Sequence, residues 1–261
     1  MSLDPTDPRP PYQQLADQLR SDILSGRLQP GQLIPSVRLL AQQYGVSNVT
    51  ANRAIEALQT EGLIDTQLGR GTFVRTKKPT IRVDAYLTAT PDGTRATWRG
   101  EGERQGFQAT QEITEVATIP GPDDVTERLE LDRGAPTVVR RRVLRADGVP
   151  VQLSDSYYPA ALAAGTELTQ PRKLPGYTYN ALTRLGVEPD RFRDELHLRM
   201  PTPAEAQILR LGKGIPVLRV LRTTYTVGGR PVEVADQLLA GDRYVLTYEL
   251  PAKPPNVYDG P

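Results

Sequence analysis

PSVRLLAQQYGVSNVTANRAIEALQTEGLIDTQLGRGTFV, residues 35–74, holds two helices, a tight turn and a hairpin in one short run. Ser36 precedes an amphipathic stretch with Leu39, Leu40 and Tyr44 at helical spacing and Ala41 between them. Gly45 ends it, because glycine takes the left-handed C-terminal conformation at no steric cost. Ser47 then caps a second helix with an apolar stripe of Val49, Ala54, Ile55 and Leu58, stopped at Gly62. Two helices across a glycine-bearing turn make the helix-turn-helix pattern. In that pattern the first helix crosses the phosphate backbone and the second enters the major groove by its N-terminal end. Leu63 and Ile64, then QLGRGT, then Phe73 and Val74 read as a hairpin whose tip sets Arg70 between Gly69 and Gly71. The expectation is a winged helix-turn-helix that binds double-stranded DNA.

Each residue facing the nucleic acid has a chemical reason to be there. Ser36 and Arg38 stand at the N-terminus of the first helix, where backbone N–H groups and the helix dipole attract phosphate; Ser36 is also the N-cap. Ser47, Asn48, Thr50, Asn52 and Arg53 occupy the start of the second helix, with few acids near to repel phosphate. Thr50 suits a thymine methyl or a phosphate, and Arg53 a backbone clamp or a base edge. Arg70 and Gly71 form the wing tip, with Arg70 shaped for a narrow, electronegative minor groove.

Outward from this stretch, Met1 to Arg9 is rich in proline and aspartate and reads as a disordered tail, given as residues 1–10. Pro11 opens a helix with Tyr12, Leu15, Leu19 and Ile23 on one face, closed at Gly26. Residues 11–75 make one small domain. RTKKPT, residues 75–80, is a polar joint (linker 76–80), in which Lys77 and Lys78 are solvated or touch a phosphate. From Ile81 strand-like runs alternate with short helices. Helices are expected over 94–106, which carries Trp98 as a core anchor, and over 122–131, 175–185 and 203–211. Strands are expected over 109–119, 191–200 and 244–250. Hairpins turn at Asp147-Gly148 and Gly228-Gly229. The fold class is α+β: a winged helix-turn-helix joined to a mostly antiparallel sheet over 81–251, with a tail over 252–261.

Composition excludes more than it assigns. The 261 residues suit one or two domains. With Cys 0 there is no disulfide, thiol nucleophile or cysteine metal site. One histidine, His197, cannot build a histidine metal centre, and no acid–base set assembles around it, so neither catalysis nor a metal or other cofactor is expected. No apolar run approaches the ~20 residues that span a bilayer, and no signal peptide opens the chain, which points to the cytoplasm and away from membranes. A net charge of +1 is uninformative.

Residues 12–74 resemble the DNA-binding domain of GntR-family bacterial transcription regulators. The likeness is carried by PYQQLADQLRSDILSGRLQPGQLIPSVRLLAQQYGVS, ALQTEGLI and GRGTFV. The remainder is similar to the effector-binding domain of the HutC subfamily, of chorismate-lyase-like fold, through RADGVPVQLSDSYYP, MPTPAEAQILRLGKGIPVLRVLRTTY and GGRPVEVADQLLAGDRYVLTYEL. The chain departs from the family in carrying Asn48 and Asn52 where arginines are frequent. Asparagine pairs with adenine N6 and N7, arginine with guanine O6 and N7, so the operator should depart from the common one.

The resemblance implies a ligand-responsive repressor: a homodimer on a palindromic operator, released by a small-molecule effector. A constitutive dimeric repressor and an enzyme of the chorismate-lyase-like fold are the alternatives. Arg140 and Arg142 alternate onto one strand face and Arg141 onto the other. An inward arginine calls for an anionic ligand or an internal carboxylate. Arg142 matches the first of two ligand-binding arginines in sugar-phosphate-responsive relatives, whereas the second matches Leu144. Ser154, Ser156 and Tyr157 fall in the family's following strand, and Glu233 matches an acid that contacts effector. Arg142 and Glu233 either bind ligand or pair with each other.

Overall fold

The computed structural model describes residues 3–67, 69–76, 81–84, 97–174 and 178–247. Its contacts divide it into two compact units, one of residues 1–78 with 199–217, the other of 79–198 with 218–261.

In the first unit α1 (Pro11–Leu24), α2 (Val37–Tyr44) and α3 (Asn48–Thr60) precede the hairpin β1 (Ile64–Gln67) and β2 (Gly71–Val74). Proline at N1 starts α1, where its missing N–H costs nothing. Ser36 Oγ accepts from the Leu39 N–H and Ser47 Oγ from the Thr50 N–H, capping α2 and α3 as expected. Gly45, at φ 68°, closes α2 in the left-handed region. Leu15, Leu19, Leu40, Tyr44, Ala51, Ala54, Ile55 and Leu58 form the core with Ile34, Ile64 and Val74. Two positions differ from the sequence reading: Leu39 and Val49 are exposed, and Ala41 and Ala51 take the buried places. The short helices turn their small residues inward so that α1 and α3 can approach closely. The wing is joined by an isolated antiparallel bridge from Leu33 to Phe73, where the Ile34 N–H donates to the Thr72 carbonyl (2.7 Å) and the Val74 N–H to the Gln32 carbonyl (2.8 Å). Residues 3–10, read as a tail without order, make contacts: Leu3 packs on the core and the Asp4 N–H donates to Gln14 Oε1 at 3.1 Å.

The second unit contains β3 (Ile81–Asp84), α4 (Trp98–Gln105), β4 (Ala109–Pro120), α5 (Asp123–Arg128), β5 (Pro136–Ala146), β6 (Val149–Pro159), α6 (Ala160–Ala163), α7 (Thr178–Arg184) and β7 (Pro189–Arg199). After β7 the chain enters the segment 199–217, which holds α8 (Pro203–Leu209) and groups with the first unit. It returns as β8 (Val217–Thr226), β9 (Pro231–Ala240) and β10 (Tyr244–Thr247). Six strands form one sheet in the order β4-β5-β6-β9-β8-β7, while β3 and β10 pair in parallel as a separate two-stranded sheet. The expected mostly antiparallel α+β architecture of chorismate-lyase-like type is what the chain adopts. Apart from Arg75 and Thr76, the linker call lies outside the described residues, as do the 252–261 tail and the ends of the helices expected at 94 and 175.

Strand alternation gives the sheet two different faces. Val139, Tyr157, Leu221 and Val234 pack against Val125 of α5 and Leu129 just past its end on one. Val138 and Tyr158 pack beneath α6 and α7, with Leu168 and Leu174, on the other. Further along that second face Leu144 and Ala146 join Val151, Ile81 and Trp98. Between these two apolar patches lies a band of polar side chains.

Candidate DNA interface and ligand site

The head sorts its arginines by whether they have acids. Arg9 pairs with Asp7, Arg20 with Glu61 (2.5 Å) and Asp17, Arg27 with Asp22 (2.5 Å), and Arg75 with Asp65 (2.6 Å). Arg38, Arg53 and Arg70 are exposed and have no acidic partner among the described residues. They lie in the first turn of α2, in α3 and at the wing tip, the three places the sequence marks for phosphate or groove contact. A guanidinium without an acidic partner can meet a phosphate without first breaking an ion pair, and the release of counterions from the DNA favours that contact. Ser36 and Ser47 are exposed caps, and Ser47 Oγ also lies 2.9 Å from Thr50 Oγ1. Asn48 and Asn52 are exposed, and Asn52 donates through Nδ2 to Glu56 Oε1 at 3.3 Å. At the wing, Gly71 (φ 108°) brings its backbone against Leu33, where a Cβ would stand 2.7 Å from Leu33 Cδ1. No larger residue fits that bend without moving Leu33.

On the sheet, four of the five expected ligand residues share one face. The register sets Arg142 opposite Ser154 and Arg140 opposite Ser156. Arg142 Nη2 donates to Ser156 Oγ at 2.6 Å and to Ser154 Oγ at 2.9 Å. Glu233, 2% exposed, accepts from the Tyr158 hydroxyl at 2.7 Å and from Thr224 Oγ1 at 3.4 Å. Burial holds the Tyr158 phenol well above its ordinary range, and the Glu233 carboxylate adds to this, so Tyr158 stays protonated and donates. Gln152 donates to Gln237 at 3.0 Å beside them. Arg142 is in no ion pair among the described residues and does not bridge to Glu233; each has its own hydroxyl partners.

Tyr157 lies on the opposite face among Val139, Leu221 and Val234, and the structure does not bring it to Ser154 and Ser156. Burial raises its phenol to about 12. Tyr158 and Thr224 stand in the band instead. Plain period-two counting from Ser154 and Ser156 reaches Tyr158, so that signal was present in the sequence. Arg140 is inward, as alternation requires, and among the described residues it is in no ion pair. Its guanidinium donates to the carbonyls of Leu168, Gln170 and Arg172, each at 2.8 Å, and burial lowers its pKa. Arg141, on the other face, pairs with Glu115 and Asp155. His197 is exposed on β7. A surface pocket of about 270 Å³ lies at the β8–β9 hairpin, lined by Val187, Glu188, Thr226 and Arg230, and none of the five expected residues lines it. Among the described residues no helix is long and apolar enough to cross a membrane, and no cluster of metal-ligating side chains occurs.

Residues 11–74 match the model for bacterial regulatory proteins of the gntR family, and residues 104–245 match that for the UTRA domain. The chain is 32% identical over 251 residues to the HTH-type transcriptional repressor NagR of Bacillus subtilis, covering 95% of this chain and 98% of that one. It is 32% identical over 248 residues to an HTH-type transcriptional regulator of Streptomyces coelicolor, covering 92% of each. The crystal structure of a GntR-family transcriptional regulator superposes with a TM-score of 0.66 at 29% identity, over 94% of this chain and 99% of that one.

Proposed function

The chain belongs to the gntR family of bacterial regulatory proteins and carries a UTRA domain, and from that premise we propose that it is a cytoplasmic repressor which leaves its operator when an anionic small molecule binds the sheet. The observation that carries the DNA-binding half is that Arg38, Arg53 and Arg70 have no acidic partner among the described residues, while Arg9, Arg20, Arg27 and Arg75 are paired with acids. Ser36, Ser47, Asn48, Thr50, Asn52 and Gly71 complete the surface. One head makes few contacts, so two chains bind a palindrome as a homodimer. The reading as a repressor is supported by NagR, which is named as one.

The effector site is the polar band of Arg142, Ser154, Ser156 and Glu233, with Tyr158 and Thr224 orienting Glu233. Arg142 and the two serines would hold an anionic group, and the Glu233 carboxylate would accept from a hydroxyl or ammonium on the same ligand. With Leu144 in place of a second arginine, a singly charged group such as a carboxylate suits the site better than a phosphate. Ligand binding lowers DNA affinity because the ligand prefers the arrangement in which the two heads no longer fit both half-sites, by ~1–3 kcal/mol for ordinary coupling.

The test is selection of fragments from the source genome with the full-length chain, followed by sequencing. A shared palindrome among the recovered fragments is expected. Recovery of fragments without a common site would refute the operator reading.

A further inference from the structure

The core of the head is complete without one of its aliphatic side chains. Ala51, Ala54, Ile55 and Leu58 of α3 are buried, while Val49, the second residue of that helix, is 65% exposed. Valine is an indifferent helix former, because its branched Cβ restricts χ1 against the preceding turn. Here it gains no burial in return. Single exposed apolar residues are ordinary on protein surfaces, so exposure alone decides nothing. Position does. Val49 sits one turn before Arg53 and beside Asn48 and Asn52, all exposed, in the turn that a recognition helix carries into the major groove.

Every base-pair edge in that groove is polar except for one group, the C5 methyl of thymine. Thr50 could also touch a methyl, but it is half-buried and turned toward the N-cap: its N–H donates to Ser47 Oγ at 3.1 Å and its hydroxyl lies 2.9 Å from the same atom. We propose that Val49 reads one thymine in each half-site, through contact of its isopropyl group with the C5 methyl. This rests on the assignment of the head as a DNA reader and adds to it a specificity residue. Asn48, Asn52 and Arg53 supply hydrogen bonds, and Val49 supplies the contact that tells thymine from cytosine and uracil.

The experiment uses the full-length chain and the fragment it selects, with each thymine replaced in turn by deoxyuridine. That exchange deletes one methyl and leaves every hydrogen-bonding group in place. At one position per half-site the wild type should lose roughly fourfold in affinity, the fold-change of burying a single methyl group. In Val49→Ala the loss at that position should vanish, while in Thr50→Ser, which keeps the hydroxyl beside Ser47 Oγ and removes only the methyl, it should persist. Val49→Thr, which keeps one of the two methyls, should retain part of it and guards against a folding defect in the alanine variant. Equal penalties in wild type and Val49→Ala, or a penalty abolished by Thr50→Ser, would overturn the assignment to Val49. A wild type that selects no fragment at all would overturn the DNA-reading head itself, a different outcome from either.

Discussion

The backbone of Gly214 lies against the carbonyl of Thr60, the last residue of α3: a Cβ on Gly214 would sit 3.0 Å from the Thr60 carbonyl carbon and closer still to its oxygen. Nearby, a Cβ on Gly62 would stand 3.1 Å from Ile215 Cδ1, and Gly212 abuts the Arg75–Asp65 pair. Three glycines, Gly62 in the head and Gly212 and Gly214 in the segment between β7 and β8, therefore let that segment pack closely on the end of α3 and the start of the wing. Gly214 also has φ 77°, so its substitution combines strain with collision. Gly229 shares that φ but has nothing within 4 Å of a built Cβ, which makes it a matched control.

Gly214→Ala should therefore lose about 1–3 kcal/mol more stability than Gly229→Ala, the range for overlap in a packed contact. Urea unfolding of the two full-length variants measures the difference. Equal losses would mean that only the backbone angle matters.

Removing Arg53 or Arg70 should cost DNA binding ~1–3 kcal/mol each and lower the slope of log affinity against log salt by about 1. Arg20→Ala breaks the pairs to Glu61 and Asp17 and should lower stability while leaving that slope unchanged. Titrations of a fluorescent operator at several salt concentrations separate the two classes.

Tyr158→Phe removes the 2.7 Å hydrogen bond to buried Glu233 and leaves that carboxylate short of a donor. The expected loss is about 1–3 kcal/mol in unfolding free energy, the cost of an unsatisfied buried polar group. Arg142→Met behaves differently. Its partners are two serine hydroxyls that can turn to other acceptors, so operator binding should persist while release by small molecules is lost. Thermal unfolding and operator release, measured on both variants, distinguish a structural residue from a ligand-holding one.

Glu205 caps α8 through Thr202 and accepts from both terminal nitrogens of Arg199 at 2.7 Å. The Arg199 hydrogen bonds, followed by the Thr202 backbone N–H, hold its carboxyl down at about 2. A carboxyl depressed in the folded chain stabilises it above the unfolded value of about 4.5, and the benefit is lost as pH falls toward 2. Glu205→Gln should thus be less stable by about 1 kcal/mol at pH 7, the scale of a partly exposed ion pair. The gap should narrow below pH 4.5, which melting curves of the two proteins at pH 7 and pH 3.5 would reveal.

What the sequence makes legible is local. The Ser36 and Ser47 caps, the Gly45 stop, the Arg70 wing and the turn at Asp147-Gly148 each depend on a few neighbouring residues and stand where expected. The buried side of a short helix is less legible: Leu39 and Val49 outrank alanine in hydrophobicity, yet close helix packing favours Ala41 and Ala51. Arg140 shows the non-local limit, since the carbonyls that satisfy it come from residues 168–172, which no strand pattern brings to β5. The same holds for the parallel pairing of β3 with β10 and for residues 199–217, which lie within the sheet domain in sequence but pack with the head. Tyr158 was within reach, because alternation from Ser154 and Ser156 leads to it.

Effector control of DNA binding is tested most directly by the affinity of the full-length chain for its selected operator, before and after addition of a small-molecule extract of the source organism. A fall of roughly 5- to 150-fold, the range of ordinary coupling energies, is predicted for the wild type and its absence for Arg142→Met. Unchanged affinity of the wild type across extracts from cells grown on many nutrients would contradict it, and would leave a constitutive DNA-binding protein.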